Sequence, residues 1–202
     1  MKNSFRTSTI LRNTLPLLAV FFLPALAQAH PGMPGHTHGF ASGLAHPLAG
    51  FDHICAMIAV GLWAAQRGGR ALWAVPLAFV SVMALGGILG MTCGALPFVE
   101  TGIATSVLIL GLLIAASARL PLLTSVFIVG VFALFHGFAH GAEIPATASG
   151  LACGTGFILA TAGLHLAGIG VGLAARQWGS MSTIRYAGGA IAACGIYFFI
   201  AA

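Results

Sequence analysis

The residues able to do chemistry in this 202-residue chain are eight histidines and three carboxylates, set in a sequence with only 5% charged residues. They are grouped. His46, Asp52 and His53 fall in H-P-L-A-G-F-D-H; His136, His140 and Glu143 fall in F-H-G-F-A-H-G-A-E. His165 and Glu100 stand in two further apolar stretches, and His30, His36 and His38 lie in a polar segment near the amino terminus. Ionisable side chains inside apolar segments are costly, and each is a functional hypothesis by default.

The donor set points to a borderline divalent metal. Imidazole nitrogen with carboxylate oxygen suits Ni²⁺, Co²⁺ or Zn²⁺; a thiolate-rich set favours softer ions, and an all-oxygen set Mg²⁺ or Ca²⁺. His136 and His140 are one helical turn apart on one face, a chelating spacing, and Glu143 continues that stripe. On the expected helix 44–65, His46 and His53 share a face to within about 20° but stand about 10 Å apart along the axis. They would then line a path rather than chelate one ion. Asp52 would complete a site beside His53. His165 is placed deeper, with Thr161 one turn before it, and Glu100 lies near an outer helix end. Imidazole binds metal only when deprotonated, so occupancy should fall in acid.

These groups must be positioned by a membrane-embedded scaffold. Hydrophobic residues make up 59% of the chain, far too many for a soluble fold with so few charges. Six apolar segments, 44–65, 71–92, 98–117, 121–141, 148–174 and 184–201, each approach the ~20 residues that cross a bilayer as a helix. Helices satisfy their own backbone groups in lipid. The expected fold is therefore all-α, a polytopic transmembrane bundle of about six helices occupying 44–202. Gly86/Gly90, Gly150/Gly154 and Gly168/Gly172 have the small-xxx-small spacing of close helix contacts. Pro47 removes a backbone donor and is expected to loosen the first helix. The four cysteines show no C-x-x-C spacing and read as small packing residues, with a disulfide between Cys93 and Cys153 as the alternative.

Residues 1–29 read as a cleaved signal peptide: a basic start, a short apolar core at 15–26, then Ala27-Gln28-Ala29 as a small-x-small cleavage site. The mature chain would begin at His30. Segment 30–43 is polar, rich in Gly, Pro and His, and expected to be a flexible periplasmic arm. A free amine on His30, with His36 and His38, could capture metal there. The remaining basic residues, Arg67, Arg70, Arg119, Arg176 and Arg185, all fall at inner helix ends if the amino terminus is outside, as the positive-inside rule requires. The expected location is the bacterial inner membrane.

These motifs resemble the HupE/UreJ family of nickel permeases. The resemblance rests on HPLAGFDH at 46–53, FHGFAHGAE at 135–143, the signal with a His-containing amino terminus, and six spans. It implies import of Ni²⁺, in some members Co²⁺, for metalloenzymes such as hydrogenase or urease. Carried onto this chain, the implied positions are His46, Asp52, His53, His136, His140 and Glu143. The metal is then cargo rather than a resident cofactor. The separate nickel/cobalt permeases with an H-x4-D-H pattern differ by one residue from the H-x5-D-H here.

Other function classes fit less well. No basic patch alternates with aromatics, so a nucleic-acid partner is not expected. No G-x-x-x-x-G-K-[ST] is present, so the chain offers no recognisable ATP-driven motor and an ATPase subunit is not evident. A secondary permease, not an enzyme, is the expectation. A zinc-dependent intramembrane hydrolase would use similar ligands with an open water position, and a haem-binding electron carrier would use axial histidines.

Overall fold

A computed structural model describes residues 39–94, 96–144, 148–178 and 180–201. The expected signal peptide (1–29) and His30, His36 and His38 lie outside the described residues. The rest forms seven helices: α1 (Phe40–Ala49), α2 (Phe51–Arg67), α3 (Ala71–Cys93), α4 (Val99–Ala115), α5 (Leu122–Glu143), α6 (Ala148–Gln177) and α7 (Met181–Ala201). There is no strand among the described residues. Helices α3, α5, α6 and α7 are long and apolar enough to cross a membrane. Helices α1 and α2 are together long and apolar enough for a fifth, as a broken span or a re-entrant loop, and are bent by 86° at their junction. The 17-residue α4 sits at the short limit of a span. The bundle is all-helical, multi-pass and close to the six spans expected.

Two expectations are corrected. The first apolar segment is not one helix: the chain turns at Gly50, which ends α1 and starts α2 in an extended conformation. Pro47 lies inside α1 and the turn comes three residues later. The helix also begins at Phe40, within the stretch expected to be flexible. Ser42 ties down its start, accepting from the Gly39 N–H and donating to the Gly39 carbonyl. Gly43 seats it against the α6 backbone at Cys153. Cys93 and Cys153 are both free thiols.

Small residues set the spacing. A Cβ on Gly137 or Gly141 of α5 would run into backbone carbonyls of Met83 and Gly87 on α3. In lipid, such contact replaces the hydrophobic drive available in water. Gly86 and Gly90 face α5, and Gly168 and Gly172 face α2, whereas a Cβ at Gly154 would enter open space. The core is centred on α2, with Met57, Val60, Trp63 and Ala64 fully buried, and on Phe79, Val107 and Ile191 from three neighbours. Helix α2 thus starts, with Asp52 and His53 in its first turn, at one end of the bundle and runs through its core.

Candidate metal centre

Both motifs converge at one end of the bundle. The turn at Gly50 folds His46 of α1 back toward His53 of α2, and His140 of α5 stands between them. Ring centroids are 4.7 Å apart for His46–His140 and 4.5 Å for His53–His140. The straight helix assumed in spacing His46 and His53 does not form, because the pair α1 and α2 is bent by 86°. His46 Nε2 lies 4.0 Å from Glu143 Oε2. His46, His140 and Glu143 each offer a ligand atom within 4.8 Å of the others, with His140 buried and the other two exposed.

Behind this triad the protonation pattern is constrained. Asp52 Oδ1 accepts from the His53 backbone N–H at 2.8 Å and lies 2.7 Å from His53 Nδ1. A carboxylate only accepts, so Nδ1 carries the hydrogen and the neutral ring keeps its lone pair on Nε2. That Nε2 lies 2.6 Å from His140 Nε2. Two imidazole nitrogens this close share a proton or meet over a cation. A carboxylate that fixes the tautomer of a ligating histidine is a common outer-shell device of metal sites. Asp52 also stands in the first turn of α2, where a helix favours negative charge.

His136 continues the line inward. Its Nδ1 is 2.9 Å from the Phe132 carbonyl and so donates, leaving an Nε2 lone pair that is buried with no partner. Its ring is 5.3 Å from that of His53. Phe79 then separates it from His165, contacting His136 at 5.5 Å and His165 at 5.1 Å, centroid to centroid. Neither nitrogen of His165 nor the hydroxyl of Thr161 has a hydrogen-bond partner, and both residues are buried. Each such orphan costs about 1–3 kcal/mol. Glu100, in the first turn of α4, is within Coulombic reach of Asp52, His53 and Glu143. All six motif residues thus fall in one cluster, Glu100 lies near it, and His165 lies beyond Phe79.

Three residues of the site were not singled out from the sequence. Phe157 of α6 packs on His140 at 4.4 Å and on His46 at 6.0 Å. Phe79 and Phe157 look like ordinary apolar positions, so no local signal marks them. Gly50 is the third: a Cβ there would lie 2.8 Å from both Asp52 Oδ1 and His53 Nδ1. Its place inside a motif rich in ligands was the available clue. A cavity of about 180 Å³ also opens beside His140, lined by Met83, Met91, Gly141, Thr155 and Phe157 among others.

Comparison with known proteins decides the family. The HupE / UreJ protein family matches residues 18–198. The chain is 47% identical to protein HupE of Rhizobium leguminosarum biovar viciae over 180 residues, covering 88% of this chain and 92% of that one. This chain belongs to the HupE / UreJ family. No solved structure matches it. HupE / UreJ proteins are membrane metal-transport or accessory proteins, not enzymes, linked to nickel handling for hydrogenase and urease. The histidine cluster is thus found in a multi-pass member of a metal-handling family.

Proposed function

We propose that this HupE / UreJ protein is a secondary permease that imports a divalent transition metal, Ni²⁺ with Co²⁺ as the alternative, from periplasm to cytoplasm for hydrogenase or urease maturation. The observation that carries this reading is the convergence of His46, His140 and Glu143 in front of the Asp52–His53 pair. The ion enters at the exposed His46 and Glu143, where partial hydration is retained. It then exchanges water for His140 Nε2, whose hydrogen passes to the unpartnered Nδ1 of the same ring. Further inward, His136 Nε2 and His165 supply lone pairs on the way to the other end of the bundle, with Phe79 between them. The arginines at the opposite end support a periplasmic histidine end through the positive-inside rule. The amino-terminal His30, His36 and His38 act as a capture arm.

The test is radiolabelled nickel uptake by cells carrying wild type or Asp52→Asn, with cobalt, zinc and copper as competitors. Wild type should accumulate nickel and Asp52→Asn should lose at least about tenfold, as outer-shell changes do. Cobalt should compete best. Accumulation no greater than in cells with empty vector would end the transport reading; equal uptake by both would end the role of Asp52. Deleting 30–38 should lower uptake at limiting nickel but not at saturating nickel.

A further inference from the structure

A second polar centre lies at the end of the bundle away from the histidines. The chain has three acidic residues, and Asp52, Glu100 and Glu143 all sit at the histidine end. Arg67, Arg70, Arg119, Arg176 and Arg185 gather at the other. Asp52 and Arg67 stand at opposite ends of α2, roughly 22 Å apart along its axis. Among the described residues no acidic side chain therefore lies within reach of these guanidiniums.

Two of the arginines are satisfied by backbone. Arg176 Nη1 donates to the Ala65 carbonyl at 2.8 Å, and Arg185 Nε to the Ala115 carbonyl at 2.9 Å. They cap the ends of α2 and α4, where carbonyls lack helical partners. Arg67 and Arg119 are arranged differently. They line one cavity of about 30 Å³, together with Gln66, Ser117, Ala118 and Met181. The Arg67 guanidinium is held in place: Nη1 donates to Ser125 Oγ, and the group lies 5.8 Å from the centroid of the Trp63 ring. Gln66 Nε2 donates to the Ile114 carbonyl and to Ser117 Oγ, fixing the cavity's lining. Two cations, one at the end of α2 and one in the α4–α5 connection, thus line one small opening with no acidic side chain to balance them. Leu123 and Trp178 at this end are about four-fifths exposed, an apolar flank suited to acyl chains.

We infer that this cavity binds the phosphate of an anionic lipid headgroup, bridged between Arg67 and Arg119. Guanidinium groups match phosphate oxygens in charge and geometry, and basic pockets between helices at a membrane face take up such headgroups. The bound lipid ties the α2 end to the α4–α5 connection.

The test uses the full chain in mild detergent, with bound lipid counted by native mass spectrometry after addition of phosphatidylglycerol, cardiolipin or phosphatidylcholine. Anionic lipid should be retained at about tenfold lower concentration than phosphatidylcholine. Arg67→Gln with Arg119→Gln should erase that preference, whereas Arg70→Gln, outside the cavity, should leave it intact. If the double variant does not fold, Arg119→Gln alone, at an exposed position, should reduce retention. An equal loss in Arg70→Gln would mean general charge attraction and overturn the site. So would equal retention of phosphatidylcholine, or displacement of the lipid by millimolar inorganic phosphate.

Discussion

At the residue scale, the centre works through a few atoms whose protons are accounted for. Asp52 holds the His53 Nδ1 hydrogen, and the Phe132 carbonyl takes that of His136. Both rings therefore keep a lone pair on Nε2, that of His136 buried without a partner. Because the ion and a proton compete for the His53–His140 pair, nickel affinity should decrease steadily as pH is lowered. Nickel titrations of purified protein at stepwise lower pH check this; pH-independent affinity would contradict it. Gly50→Ala tests the packing behind the pair. An added methyl meets Asp52 Oδ1 and His53 Nδ1, so uptake should drop about tenfold while the protein still inserts and is extracted normally. Normal uptake by this variant would show that the Asp52–His53 contact is dispensable. The ligand types were legible in the sequence because imidazoles and carboxylates in apolar runs are conspicuous. Phe79 and Phe157 were not, since a phenylalanine against a histidine looks no different in sequence from one against a leucine.

At the element scale, the decisive feature is the break between α1 and α2. The run of apolar residues located the segment at 44–65 but carried no information on a turn within it, and the proline drew attention to the wrong residue. Gly50 takes the turn, and only after it can His46 and His53 flank the same partner. The other segments matched their helices to within a few residues because long apolar runs leave little choice in lipid. The α3–α5 contact that positions His136 and His140 depends on missing side chains. Gly141→Leu should force these helices apart, costing about 1–3 kcal/mol. Thermal unfolding in detergent should show a lower midpoint, and nickel uptake should fall with it. An unchanged midpoint would mean that the close approach is not what holds α5 in place.

At the scale of the whole molecule, charge is divided end from end: every carboxylate with the histidine cluster, every described arginine at the opposite face. In the proposed function the cluster is the point of cation entry, because all three acidic side chains of the chain lie there. The ordering of arginines was visible in sequence; their division into carbonyl caps and a shared cavity required three-dimensional contacts. Membership of the HupE / UreJ family agrees with this layout, and what the layout claims most directly is that the chain itself binds the ion. Equilibrium binding of radiolabelled nickel to purified protein tests that claim. Wild type should hold one nickel per chain, and His140→Ala, which removes the ligand shared by both sides of the cluster, should weaken binding at least about tenfold. Equal binding by the two proteins would contradict the assignment of the centre.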